Sequence, residues 1–391
     1  MTASPHVVVI GAGTLGMCSA HALTEQGARV TVIDARSIAS GSSGRSVGVV
    51  GTQLTDPFEI QLRMQSVQRI RRWQERLGLG FNPIGYLRLA RTSEQMELFA
   101  RSVEIQRDAG FRSRVYQANE LQQLVPHLSS DGLEGGIFGP DDGFLDPHEM
   151  CTLLAQEVKK LGSEVFQFRK LLGVARTSGG YRLDTSKGPI GCDFIVNAAG
   201  AWAPRVAEML GQTLHIHPER HEALTIHLDA PLPYTMPMVM DLVNGQGTGL
   251  NFRHEKASEL IAEIHKVSSP SPEDPDNYNE QCEEGSKVML AEMLIERVPD
   301  LPGARLGRGW AGLYPVTADH RPYVGPVDQS EPGLITAAGA GGYGIQLAPV
   351  IGLIVADWVL KGSPASIPGT ESLAPTPERN VPPYILRRLD Q

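Results

Sequence analysis

Residues 7–34 read VVVIGAGTLGMCSAHALTEQGARVTVID, and no other stretch of the chain narrows the possible folds so far. The β-branched run Val7–Ile10 predicts a buried strand, Gly11-Ala12-Gly13-Thr14-Leu15-Gly16 a glycine turn, the small residues after it a helix, and Val30–Ile33 a second strand ending at Asp34. Gly11 permits the tight turn, Gly13 lets the backbone approach a pyrophosphate, and Gly16 lets the helix lie close on the sheet. The helix start offers unpaired N–H groups and a positive dipole end to phosphate. Asp34 follows Gly11 by about 20 residues, where a carboxylate accepts ribose hydroxyls. A glycine triplet alone is weak evidence. The strand before it, the helix after it and the acid at this offset favour a dinucleotide site over an ordinary βαβ unit with a Gly-rich turn.

The chain has 391 residues, more than one core usually carries, which predicts two domains. Its 41% apolar and 20% charged content is that of a globular protein of enzyme size. A net charge of −9 with no dense basic run gives nucleic-acid binding no support. No apolar stretch is expected to span a membrane. The longest, Ile345–Leu360, contains Gln346, Pro349 and Asp357 and reads as a buried helix. The first strand begins within six residues and no charged leader precedes it, so no signal peptide is expected. Cys18, Cys151, Cys192 and Cys282 lie far apart without metal or redox spacing. They fit small buried residues in a reducing compartment, and the expected location is cytoplasmic.

Helices are predicted over 56–80, 93–109, 118–125, Pro147–Leu161, Gly285–Val298 and onward from about Ile345. Strands are predicted at 86–89, Glu164–Phe168, 170–177, 180–186, Asp193–Val196, Ala223–Leu228, Leu260–Ile264 and Gly333–Ala338. Ser268–Asn279 is a polar, proline-rich loop and the expected flexible segment, and the proline-rich last thirty residues are expected to form a surface tail or to be partly disordered. The dinucleotide domain is therefore interrupted, with pieces 1–80, 147–215 and 304–391. The inserts 81–146 and 216–303 form a second, sheet-rich domain.

A nicotinamide enzyme needs only the first glycine turn, and this chain has three more at strand ends. Ser40-Gly41-Ser42-Ser43-Gly44-Arg45-Ser46-Val47-Gly48 is either a flexible loop or a backbone cradle around a flat ring or its phosphates, with Arg45 adding positive charge. Ile195-Val196-Asn197-Ala198-Ala199-Gly200-Ala201-Trp202 combines a buried strand with small residues that admit another group. Ala338-Gly339-Ala340-Gly341-Gly342-Tyr343-Gly344 opens a helix whose positive end would face whatever occupies the cleft. His215-Ile216-His217-Pro218-Glu219-Arg220-His221 puts two histidines on one strand face, but no further ligand cluster supports a metal. Ser-His-Asp order and HExxH are absent, and Asp141-Asp142 reads as a turn pair.

VVVIGAGTLG, SGSSGRSVG, IVNAAGAWA, GLYPVTADHRPYVG and AAGAGGYGIQLAP occur in this order from end to end. The chain thereby resembles the D-amino-acid oxidase superfamily, most of all its monomeric sarcosine oxidase and glycine oxidase branch. The resemblance implies an α/β fold, a Rossmann-like FAD-binding domain carrying an inserted antiparallel-sheet substrate domain. It implies oxidation of an amine by hydride transfer to flavin N5, an imine that hydrolyses, and reoxidation by O2 or another acceptor. The implied FAD contacts are Gly11, Gly13, Thr14, Leu15, Gly16, Asp34, Ala35, Arg36, Ser42, Ser43, Gly44, Arg45, Ser46, Leu171, Ala198, Gly200, Trp202, Gly341, Gly342, Tyr343, Gly344, Ile345 and Gln346. Tyr314 matches an active-site tyrosine of the family.

Departures from the pattern carry information as well. Gly312 stands where sarcosine oxidases bond a cysteine to the flavin, and Arg45 where other relatives use a histidine, so FAD is expected to be noncovalent. Gln346 replaces a substrate-gripping lysine, Tyr314 replaces the arginine of glycine oxidase, and Ile261 aligns with the oxygen-activating lysine. A substrate carboxylate then needs another arginine, with Arg45, Arg253 and Arg321 as candidates, and His254, His265 and Gln346 as polar neighbours. The substrate expected is a small amino acid or N-alkyl amino acid. The alternatives are a dehydrogenase of an amino acid or 2-hydroxy acid passing electrons to a quinone or protein, and a flavin-carrying subunit without its own catalysis. A nicotinamide-only dehydrogenase fits least.

Overall fold

The computed structural model describes residues 4–242, 249–265 and 272–382. Its α-helices are α1 (Thr14–Glu25), α2 (Pro57–Leu77), α3 (Ser93–Asp108), α4 (Pro147–Lys160), α5 (Ala203–Met209), α6 (Glu284–Arg297) and α7 (Gly344–Lys361). The first strand, His6–Ile10, is buried along its whole length. It occupies an interior position of a six-stranded sheet, parallel to Arg29–Ile33 on one side and Phe194–Asn197 on the other. Glu164–Phe166 lies at one edge, and Leu334–Ala338 with antiparallel Tyr323–Pro326 at the other. α1 is buried except at Glu25, and α7 approaches it closely at Gly352, where a Cβ would stand 2.4 Å from the Cys18 carbonyl oxygen. α2 covers α7. It starts at Asp56, whose side chain accepts from the Glu59 N–H, and stops at Gly78 with φ +76.

The second domain is an eight-stranded, mainly antiparallel sheet. Its order is 305–316, 217–227, 259–265, 249–256, 238–242, 86–90, 135–139 and 114–117. Side chains alternate across it. Leu224, Ile226, Leu250, Phe252, Leu260 and Ala262 pack with Leu290 and Leu294 of α6 in one core. Asn251, Arg253, Ile261 and Glu263 alternate with these and take the other face, toward the cofactor domain.

Several expectations change. The boundary at 304 falls a strand too early, because Arg305–Val316 pairs along its length with the strand 217–227 and completes the substrate sheet. Residues 118–125 form a short 3-10 helix, Ala118–Gln123. The segment Gly341–Lys361 does reach the length and hydropathy of a membrane span, yet 72% of its apolar window is buried as the core helix between α1 and α2. Asp141 stands in a turn, as expected, and Asp142 beside it is fully buried. The loop expected at Ser268–Asn279 lies outside the described residues up to 271, as does the tail beyond 382. From 362 to 382 the chain packs on the cofactor domain, where the Arg379 guanidinium pairs with Asp319.

Candidate active site

All four glycine turns contribute to the wall of a cavity of about 530 Å³ at the carboxyl ends of the parallel strands. Gly11, with φ +109, passes so near the next strand that a Cβ would stand 2.4 Å from the Ala198 carbonyl oxygen. Gly16 approaches Gly11 closely enough that a Cβ would overlap its oxygen, so these two glycines serve packing. Gly13 and Gly200 face room instead: a Cβ on Gly13 would reach only Ser43 Oγ at 3.0 Å, and one on Gly200 nothing within 4 Å. The Thr14 N–H donates to Ser43 Oγ at 3.1 Å, which ties the second glycine loop to the start of α1. Asp34 accepts from the Ala12 and Arg36 N–H groups at 2.7 and 2.8 Å, while burial pushes its carboxyl above the usual range. The fourth turn brings Gly341, Gly342 and Gly344 to the cavity at the uncapped start of α7.

The cavity runs from Asp34, Ala35, Arg36 and Leu171 past Gly11, Gly13, Thr14, Leu15, Ala198, Gly200 and Trp202 to Ser42, Ser43, Ser46, Gly341, Gly342, Gly344, Ile345 and Tyr314. The four glycine turns thus converge on one space. An adenosine fits the Asp34 end, a pyrophosphate the start of α1, and a flat ring the end between Ser42–Ser46 and Gly341–Gly344. Gly16, Gly44, Arg45, Tyr343 and Gln346 do not line it. Gly44 is held by its own loop, where a Cβ would stand 2.4 Å from the Ala39 carbonyl oxygen. Arg45 Nη1 donates to the Ser40 carbonyl at 2.7 Å and Nη2 to Glu280 at 2.5 Å, so Arg45 braces the loop from behind. Lys170, Arg205, Asp276 and Leu313 also line the cavity, and local sequence carried no signal for them.

The arginines proposed for a carboxylate are engaged elsewhere. Arg253 is buried against the Phe144 ring at 3.7 Å. Its Nε and Nη2 donate to the Val47 carbonyl, and its Nη1 to the His254 carbonyl and Glu255. Arg321 pairs with Asp56 and Glu59. His254 Nδ1 accepts from the Met236 N–H, and Gln346 Oε1 accepts from Arg63 Nε. The His265 side chain falls outside the described residues. The corrected assignment is that Arg45, Arg253, His254 and Gln346 hold structure.

The ring end instead leads to a polar group that pattern reading missed. Tyr314 stacks on His221 with ring centres 3.8 Å apart, and its hydroxyl stands 3.5 Å from Glu263 Oε2. Glu263 Oε1 accepts from Asn251 Nδ2 at 2.8 Å. Burial pushes the Glu263 carboxyl up, against the Asn251 hydrogen bond and the charges of His221 and Arg253. Burial and the Glu263 carboxylate hold the Tyr314 phenol protonated far above its ordinary range.

A dinucleotide fold with four glycine turns around one cleft and a polar sheet over the ring end defines a flavin-type oxidoreductase. The family comparison is specific: the pattern of the DAO family, FAD dependent oxidoreductases, matches residues 6–358, and the chain belongs to that family. The glycine oxidase of Geobacillus kaustophilus (strain HTA426) is 26% identical over 368 residues, covering 92% of this chain and 94% of the relative. The mitochondrial dimethylglycine dehydrogenase of Rattus norvegicus is 26% identical across 91% of this chain, which spans 43% of that longer protein. Among solved structures, L-proline dehydrogenase from P. horikoshii superposes with TM-score 0.84 at 27% identity, covering 96% of this chain and 98% of the other. Glycine oxidase from Geobacillus kaustophilus gives 0.79 at 25%, covering 96% and 99%. The protein is an FAD-dependent oxidoreductase by family.

Proposed function

We propose that the protein oxidises the carbon–nitrogen bond of a small amino acid or N-alkyl amino acid, releasing an imine that hydrolyses. One observation carries the reading: the cavity lined by the four glycine turns includes Tyr314, whose hydroxyl stands 3.5 Å from Glu263 on the substrate sheet. Bound FAD supplies the two-electron acceptor. The chain's own residues orient the substrate: the sheet face holds it over the ring end, and Tyr314, pinned by His221, limits its position. Noncovalent FAD is supported by Gly312, where a Cβ would meet only the aliphatic part of Arg45, at 3.1 Å. An acceptor other than oxygen is supported by Ile261, an apolar residue on this face beside Arg253, where the family resemblance puts a lysine.

The test is anaerobic mixing of the yellow holoenzyme with amino acids, N-methyl amino acids and 2-hydroxy acids. Members of the first two sets are expected to bleach the flavin, and the bleached enzyme to recover faster with a quinone than with air. Bleaching by hydroxy acids alone, or by no compound, overturns the reading.

A further inference from the structure

Asn251 is 3% exposed, and its Oδ1 has no hydrogen-bond partner among the described residues. The amide orientation is set by its other end, where Nδ2 donates to Glu263 Oε1. Oδ1 is therefore a buried acceptor in need of a donor, and buried acceptors are rarely left so. Beside it stands a carboxylate whose second oxygen has, among the described residues, only the long contact from the Tyr314 hydroxyl. The nearby cation, Arg253 two residues along the same strand as Asn251, donates to Val47, His254 and Glu255 instead. Two acceptors thus stand on the sheet face that reaches the cavity at Tyr314, and the Arg253 guanidinium is engaged elsewhere.

We infer that Glu263 and Asn251 form the acceptor pair that receives the substrate's nitrogen as an ammonium and takes its first proton. This rests on the amine-oxidation reading above. The N–H bond breaks with its electrons staying on nitrogen, an O–H bond forms on Glu263, and nothing is oxidised in that step. The lone pair so freed is what allows the carbon–nitrogen double bond to form when hydride leaves the neighbouring carbon for bound FAD. Asn251 Oδ1 accepts a second N–H and fixes the direction of the nitrogen. Burial makes Glu263 a better proton acceptor than an ordinary glutamate, which suits this task. The site is accordingly selective for charge at nitrogen, and an amine without a carboxylate is recognised by the same pair.

The test uses the holoenzyme and two inert probes of one shape. tert-Butylammonium has no hydrogen on the carbon bonded to nitrogen and so is not oxidised. Pivalate replaces its ammonium by a carboxylate. Calorimetric titration is expected to show tert-butylammonium binding more tightly than pivalate. Glu263→Gln is expected to weaken the ammonium at least tenfold, and Asn251→Ala several-fold. tert-Butylammonium keeps its charge from about pH 5 to about pH 8, so any pH dependence belongs to the protein. Wild-type affinity is expected to fall at low pH as Glu263 takes up its proton, a readout that needs no variant to fold. Among the described residues, the groups facing Glu263 are His221, Arg253, Tyr314 and Tyr86. Protonation of His221 would repel the probe in the same sense, and the slope left in Glu263→Gln separates the two. Tighter binding of pivalate, no binding of the ammonium, or an unchanged affinity in Glu263→Gln overturns the inference. Flavin bleaching by amino acids together with that unchanged affinity leaves the amine-oxidation reading standing. Ammonium binding without bleaching by any amine does the reverse.

Discussion

The ring of Tyr314 has little room to move. His221 covers one side, and Gly342 crowds its edge so closely that a Cβ there would lie 2.4 Å from Cε2. Gly342→Ala must therefore push the ring, and with it the hydroxyl near Glu263, while removing no hydrogen-bonding group. Displacements of this size at a reacting centre cost roughly 100-fold in rate. Flavin reduction in Gly342→Ala, followed by stopped flow, is expected to slow by at least about tenfold with FAD content unchanged. A variant reduced as fast as the wild type would mean that the position of the ring is immaterial. Tyr314 was legible from its motif, but Glu263 and Asn251 were not. A strand with apolar residues on both sides of each polar one does not say which face meets the cofactor domain, and only the pairing of Asn251 with Glu263 across two strands makes them a unit.

At the scale of elements, residues 272–282 are a strap rather than a loose loop. Asp276 accepts from Trp202 Nε1 at 2.8 Å and pairs with Arg205 and Arg36, Asp274 pairs with Arg205, and Glu280 with Arg45. Trp202, Arg36 and Arg205 line the cavity, so the strap holds one wall in place from outside. Each exposed ion pair contributes about 0.2–1 kcal/mol, and Asp276 makes two besides the indole contact. Asp276→Ala is expected to raise the dissociation constant of FAD by roughly three- to tenfold, read from the fluorescence of released FAD. Wild type should approach the variant as salt screens the pairs. Equal retention at low salt would show that the strap bears no load from the cofactor. The glycine turns could be read from sequence because each is a local device, a strand end plus a positive φ or a close approach. The strap could not, because its polar, proline-rich composition is that of a mobile loop and its partners lie some 70 and 240 residues away in the chain.

For the whole molecule, the joint between the two domains decides how stability follows pH. Arg253 reaches from the substrate sheet to the Val47 carbonyl of the cofactor loop. Just beyond, Asp142 accepts from the Thr52 N–H and hydroxyl and from Gln53 Nε2 at 2.7 Å, with Gln106 of α3 closing the cluster through Thr52. These donors favour the carboxylate, but full burial outweighs them and pushes Asp142 up to about 7. The folded protein then holds a proton that the unfolded chain releases at the ordinary carboxylate value. The stabilisation is complete below about pH 4, declines as pH rises to about 7, and changes no further above that. His21, pushed down from 6.5 to about 4 by burial beneath α2, acts in the opposite direction over most of this range, so the wild-type profile alone is ambiguous. Asp142→Asn removes one term only. Its unfolding free energy in urea, minus that of the wild type, is expected to rise between about pH 4 and about pH 7 by up to about 4 kcal/mol and then level off. A difference that stays flat across this interval would mean that Asp142 is ionised in the folded enzyme. The Arg253 contact with Val47 would then carry the domain joint without a protonated partner.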